Sequence, residues 1–288
     1  MHPVKLIGVA CGLGAPDHGC EDGPLFLREL KVFQDGDIPA AWEDILRPGP
    51  ASLESPIAAI TELCSRLATH VQNALEAGHF PLVVGGDHSC AIGTWSGVHQ
   101  WLGARGSLGL IWIDAHMDSN TLVTTPSGAL NGMPLACLLG YGEQELTAIG
   151  TTAPKLHPGH VCLLGVRSFE EGEAVLLKKL GVRVIGMEEI RKRGVTATLA
   201  EAMAIASSGT AGYGVSIDLD VLDPSEEPGV GSPVPGGLLC SELEQALHQL
   251  RGDPAMLAME IAEYNPHHDR GQLTARAAGA LFRAALGR

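Results

Sequence analysis

Seven segments, each six to eight residues long, are nearly continuous apolar runs: "VKLIGVAC" (4–11), "FPLVVGG" (80–86), "LGLIWIDA" (108–115), "HVCLLGVR" (160–167), "VRVIGM" (182–187), "YGVSIDLD" (213–220) and "MLAMEIAE" (256–263). A strand with one wet face alternates apolar and polar side chains. Runs without that alternation are expected where helices cover both faces, as in a parallel sheet. Helix signals fall between the runs. Ser55-Pro56 supplies an N-cap and a first-turn proline for an apolar-periodic stretch that reaches Ala77 and stops at Gly78. Ser241, with Glu244 three residues on, predicts a capping box opening a helix to about Gln249. Strand then helix, repeated, predicts an α/β fold with a mostly parallel, doubly wound sheet. With no internal repeat, low-complexity tract or linker, residues 1–288 are expected to form a single domain.

Composition narrows the partners. A hydrophobic content of 45% supports a large core, and 18% charged residues argues against extended disorder. A net charge of −14 disfavours nucleic acid and anionic membrane surfaces as partners. Seven cysteines, none at CxxC spacing, read as reduced thiols of a cytoplasmic protein, with Cys90 a small buried hydrophobe. The start, "MHPVKLIGVACGLGA", has one lysine ahead of a short apolar stretch broken by glycines. It reads as a first core strand and a glycine-rich loop, not a secretory signal. No apolar run approaches the roughly 20 residues a membrane-spanning helix needs.

In α/β sheets, ligands gather at the carboxyl ends of strands. Three strand ends here carry metal-type side chains: Asp87-His88 after "VVGG", then Asp114, His116 and Asp118 in "IWIDAHMD", then Asp218, Asp220 and Asp223 in "VSIDLDVLD". Residues two apart on a strand share a face, so Asp218 and Asp220 are expected to project together, as are Asp114 and His116 if that strand continues. A single segment of this kind is as well explained by a turn or an N-cap. Three at successive strand ends point to an ion site with more ligands than one ion needs. Oxygen-dominated ligation with a minority of imidazole suits Mn²⁺, with Fe²⁺, Co²⁺ or Ni²⁺ as alternatives. Shared carboxylates would hold two ions for metal-assisted hydrolysis. Asp87 and Asp223 are weaker candidates, the first as a loop brace and the second as turn chemistry.

The motifs "GGDHS" (85–89), "DAHMD" (114–118) and "SIDLDVLDP" (216–224), in this order and spacing, resemble the three signatures of the ureohydrolase, or arginase, family, with arginases the nearest branch. The likeness runs from "LIGVACGLG" to "MEIAEYNP". It implies a three-layer α/β/α fold, a dinuclear manganese centre, and hydrolysis of a guanidino group to urea and an amine. It implies that His88, Asp114, Asp118 and Asp218 hold one Mn²⁺, and that His116 and Asp220, with Asp114 and Asp218 shared, hold the second. Asp118 would also accept a hydrogen bond from the nucleophilic water, and Glu263 in "AEYNP" would pair with the substrate guanidinium. Asn120, Thr125 and Ser127 in the loop 119–130 match positions that contact an α-carboxylate, and Ser232 is a further substrate contact. Glu170, where arginases usually carry an aspartate, and Glu173 match acidic positions near the α-amino group. A homotrimer or homohexamer is implied in the same way.

One position departs from the pattern. The family has a proton-shuttling histidine where this chain has Asn131, in "ALNGMPLA". An amide hydrogen-bonds but carries no proton near neutral pH. Three readings stay open: a slow arginase acting on L-arginine to give urea and L-ornithine; a hydrolase of N-hydroxyarginine or another guanidino acid with a better leaving group; or a binding or regulatory homologue that kept its metals. The complete ligand set favours an enzyme, and the "PSG" and "GMPLA" surroundings favour an arginine-like substrate. His18 and His157 are candidate replacement shuttles.

Overall fold

The computed structural model describes residues 2–34, 38–49 and 55–287. Met1 and Arg288, the ends of the expected single unit, lie outside these residues. Among the described residues, eight strands form one sheet: β1 (Val4–Val9), β2 (Ala40–Leu46), β3 (Phe80–Gly85), β4 (Leu108–Ile113), β5 (Leu156–Val166), β6 (Arg183–Gly186), β7 (Gly212–Asp218) and β8 (Met256–Ala262). Their order is β2-β1-β3-β8-β7-β4-β5-β6, and every pair is parallel. All seven apolar runs are strands, as expected.

The eighth strand, β2, has no apolar run to announce it. It lies at the sheet edge and contains Glu43 and Asp44, and its only fully buried residue is Leu46. An edge strand with one neighbour tolerates such alternation.

Helices α1 (Gly23–Glu29), α7 (Met187–Arg193), α8 (Val195–Ser207), α9 (Cys240–Leu247) and α10 (Leu273–Leu286) cover one face, with Leu27, Ile190, Leu199, Leu243 and Phe282 in its core. Helices α2 (Pro56–Glu76), α3 (Ala91–Leu102), α4 (Pro134–Leu138), α5 (Gln144–Thr147) and α6 (Glu171–Leu180) cover the other, with Leu67, Trp95, Leu135, Leu146 and Leu177. The result is three layers, α/β/α. Helices α2 and α3 touch through glycine. A Cβ on Gly97 would lie 2.5 Å from the Ala68 carbonyl oxygen, so only glycine allows this approach.

Two local expectations need correction. Helix α9 begins one residue before Ser241, and the Glu242 carboxylate, not that of Glu244, accepts the Leu239 N–H at 3.4 Å. Ser55 stands at the N-cap of α2 without a side-chain capping bond; Pro56 at the first helical position remains the start signal.

Strand order explains where the site lies. After β3 the chain skips two places to β4, and β8 and β7 later fill the gap. The carboxyl ends of β3, β8, β7 and β4 are therefore side by side, at a topological switch point where ligands bind.

Candidate active site

Short turns, not extended strands, deliver the ligand-type side chains. Strands β4 and β7 end at Ile113 and Asp218, so strand alternation does not place His116 or Asp220. Asp218 instead caps a 3-10 turn, Leu219–Val221, by accepting the Asp220 N–H at 2.8 Å. Asp114 accepts the His116 N–H at 2.6 Å, folding the chain back so that both side chains meet. His88 begins a turn capped by Asp87, which accepts the Ser89 N–H at 3.0 Å and the Gly14 N–H at 2.9 Å. Asp87 is thus a loop brace. Asp223 likewise serves its turn, accepting the N–H groups of Ser225, Gly236 and Gly237.

Four non-glycine residues are held in the left-handed backbone region among the described residues, and two of them belong to the expected site: Asp118 at φ +48° and Glu263 at φ +66°. Such conformations cost roughly 1–3 kcal/mol each and persist only where surroundings enforce them. The Asp118 carbonyl accepts the Leu135 N–H at 2.9 Å, and the Glu263 N–H donates to Gly86 O at 2.8 Å.

Two clusters result. His88, Asp114, Asp118 and Asp218 form one, all buried; Asp114, His116 and Asp220 form the other, and among the described residues these are the groups able to hold a metal ion. His88 Nδ1 lies 3.3 Å from Asp114, 3.0 Å from Asp118 and 3.2 Å from Asp218, yet makes no hydrogen bond. His116 Nδ1 lies 2.9 Å from Asp220 and 3.6 Å from Asp114. A buried imidazole nitrogen without a bond, ringed by three carboxylates, fits a divalent ion. So does the donor set, four carboxylates and two imidazoles with Asp114 common to both clusters.

The electrostatics agree. Asp118 is pushed well above the usual carboxylate range by burial and by Asp114; Asp218 is pushed up by burial, Asp220 and Asp114. Burial works against charge on His88 and His116, but the surrounding carboxylates raise both imidazoles far above their ordinary value. Protons here balance negative charge that bound dications would otherwise balance.

Above the clusters opens a cleft of about 170 Å³. His116, Asp118, Asp218 and Asp220 line its floor; Asn120, Thr125, Ser127, Asn131, Glu170, Glu173 and Ser232 line its walls. Every candidate wall residue is therefore in one place. Thr125 Oγ1 accepts the Gly128 N–H at 3.0 Å and Ser127 Oγ the Ala129 N–H at 3.2 Å; the two hydroxyls also share a 3.4 Å hydrogen bond, which leaves one hydroxyl proton free to donate. Asn120 Nδ2 donates to Glu170 at 2.8 Å and has a second hydrogen to spare. Glu173 accepts from Ser119 N at 3.0 Å and Glu170 N at 2.8 Å; burial and the Glu170 carboxylate push it up to about 7. A larger groove of about 580 Å³ lies at the other end of the sheet, beside Val4, Phe80 and Met256, far from any ligand cluster.

Glu263 sits beneath the cleft, 1% exposed, rather than on its wall. Its Oε1 accepts the His88 N–H at 2.8 Å and Asn131 Nδ2 at 3.0 Å, and its Oε2 accepts the Cys20 thiol at 3.2 Å. Burial and Asp87 push its carboxyl up to about 7. His18 and His157 are not among the cleft residues, so neither stands where a shuttle is needed.

Sequence reasoning passed over Cys20, Arg167, Ser216 and Glu260. Arg167 donates to the carbonyls of Asp220 at 2.7 Å and Val234 at 2.7 Å, tying the Asp220 turn to the loop that carries Ser232. A signal for Glu260 was present: a glutamate inside "MLAMEIA" is a buried charge that demands partners.

Known proteins share this arrangement along its whole length. The arginase from Bacillus caldovelox is 40% identical, covering 100% of this chain and 99% of its own. The arginase from Brevibacillus brevis is 38% identical, covering 99% and 97%. The crystal structure of the arginase from Bacillus subtilis superposes with a TM-score of 0.91 at 35% identity, covering 99% of each chain. The model of the arginase family matches residues 2–287. The chain belongs to the arginase family.

Proposed function

We propose that the protein hydrolyses the guanidino group of L-arginine, giving urea and L-ornithine, with two Mn²⁺ ions per chain. The carrying observation is that two ligand clusters sharing Asp114 open into one cleft whose far wall offers donors for a carboxylate and acceptors for an ammonium. His88, Asp114, Asp118 and Asp218 would hold one ion, and Asp114, His116, Asp218 and Asp220 the other. When bound, the pair lowers the pKa of a water so that hydroxide is available near neutral pH.

The chain's own residues do the rest. Asp118, on the cleft floor, accepts a hydrogen bond from the attacking water and aims it. Glu263 draws the guanidinium down by charge-assisted hydrogen bonding. A carboxylate has about four acceptor positions, and three are taken here, so one on Oε2 remains for substrate. The hydroxyls of Thr125 and Ser127 and the amide of Asn120 grip the α-carboxylate; Glu170 and Glu173 receive the α-ammonium, and Ser232 closes the side. Asn131 holds Glu263 in place but delivers no proton to the leaving amine.

One observation favours a second substrate. Among the described residues, His116 is the only imidazole lining the cleft, and it is a ligand candidate. A leaving group that needs no protonation, as in N-hydroxyarginine, suits such a site better than arginine's amine. The test is a panel of guanidino compounds with manganese-loaded protein, measuring urea against hydroxyurea. Urea from arginine supports the first reading and hydroxyurea alone the second. Neither product from a fully metallated protein contradicts both and leaves a binding or regulatory role.

The same reading makes the protein a single-domain homotrimer or homohexamer of the cytoplasm. All seven cysteines are free and six of them buried. No helix among the described residues is long and apolar enough to cross a membrane.

A further inference from the structure

Strand β8 carries the buried Glu260, and Glu263 follows at its carboxyl end; only Glu263 has a part in the chemistry above. Glu260 is fully buried in the middle of the strand. An unpartnered carboxylate there would cost several kcal/mol. Glu260 has partners from several elements. Ser216 Oγ, its cross-strand neighbour on β7, donates to Oε1 at 2.7 Å. Thr94 Oγ1 of α3 donates to Oε2, and the Cys90 thiol approaches the same oxygen at 3.6 Å.

Ser216 also lies 2.9 Å from His88 Nε2. A hydroxyl has one proton, and Ser216 gives it to Glu260. Its oxygen can then only accept from His88, so in the neutral ring that a metal ion requires the proton sits on Nε2 and Nδ1 is bare. Nδ1 is the atom that faces Asp114, Asp118 and Asp218. Trp112, Ser216 and Glu260 are aligned across β4, β7 and β8 by register. The His88 ring stacks on Trp112 with centroids 4.3 Å apart and planes 22° apart, and the indole N–H donates to Asp114 at 2.8 Å. One row of the sheet is thus a platform that fixes the ring from below and from the side.

We propose that Glu260 is a positioning residue. Acting through Ser216, it fixes the tautomer and orientation of His88 and thereby sets the affinity of the ion bound by His88, Asp114, Asp118 and Asp218. The ion of His116 and Asp220 is indifferent to it. This rests on the dinuclear reading of the site. Carboxylates that orient a ligating histidine govern metal affinity by about 10–100-fold in other sites, and here a serine hydroxyl is interposed.

The experiment is a Mn²⁺ titration followed by calorimetry and by electron paramagnetic resonance, on wild type, Glu260→Gln and Ser216→Ala. In both variants one ion should bind about 10–100-fold more weakly while the other keeps its wild-type affinity. At limiting manganese the variants should show a single-ion signal where wild type shows a coupled pair. Melting temperatures of the metal-free proteins separate a folding defect, which would weaken both ions alike. If wild type binds two ions and the variants weaken neither, or both equally, the role of Glu260 is overturned and the dinuclear site stands. If wild type binds a single ion, the dinuclear reading fails, and Glu260 keeps its role only if Glu260→Gln weakens that ion. Binding of no manganese by wild type overturns both.

Discussion

Asn131 donates a 3.0 Å hydrogen bond to Glu263 Oε1, the same oxygen that accepts the backbone N–H of His88. The amide therefore joins the cleft wall to the buried carboxylate below it. It keeps that carboxylate in position and contributes no titratable proton.

The first prediction follows from that bond. With arginine as substrate, Asn131→His should raise kcat at least about tenfold, a modest share of what general acid–base catalysis supplies. Metal content should not change, and N-hydroxyarginine, with its less basic leaving group, should gain less. Steady-state kinetics beside metal analysis decides it. An unchanged kcat in a fully metallated variant would rule out Asn131 as a limit on turnover.

Asp220 belongs to one cluster only, where its carboxylate meets His116 at 2.9 Å. Asp220→Ala should therefore bind one ion per chain at saturation where wild type binds two. Manganese counted after dialysis checks this. A variant that still holds two ions removes Asp220 from the ligand set.

The cleft walls predict selectivity. Arginine and N-hydroxyarginine should exceed agmatine and guanidinobutyrate in kcat/KM, because only they present both ends of an α-amino acid. Asn120→Ala should lower kcat/KM on arginine by about 10–100-fold, the value of a hydrogen bond to a charged group, and leave agmatine little affected. Preference for agmatine in wild type would show that the loop 119–130 does not read an α-carboxylate.

Much of this was legible in the sequence. The buried strands announced themselves because both of their faces are covered, and the ligands because carboxylates gather where no lysine or arginine balances them. Strand β2 did not, because an edge strand with Glu43 and Asp44 lacks an apolar run. The order that inserts β8 and β7 between β3 and β4 depends on contacts distant in sequence, which local periodicity does not carry. Nor did strand alternation account for Asp220 and His116, which reach the site by turns after their strands have ended. Glu260 stood out as a charge inside an apolar run, but its role did not, since its partners Thr94 and Ser216 come from elsewhere in the fold.

Away from the cleft, Glu227 predicts a pH effect on stability. It is 7% exposed, its Oε2 has no hydrogen-bond partner, and burial, then Glu226, Asp223 and Asp269, push it up to about 7. A raised carboxyl favours folding most below its unfolded value near 4.5 and loses that contribution as pH rises through 7. Glu227→Gln should thus be nearly neutral at acid pH and stabilising at pH ~8, by on the order of 1 kcal/mol after solvent screening, or roughly 2–4 °C in Tm. Thermal melts of the two proteins across that range check it. A Gln variant less stable than wild type at alkaline pH would contradict the assignment.

The most direct measurement of the central claim is urea release from L-arginine as manganese is added stepwise to the metal-free protein. The account predicts that activity rises with the second ion and reaches its plateau at two Mn²⁺ per chain. A plateau at one ion, or no product from any guanidino acid with both ions bound, would contradict it.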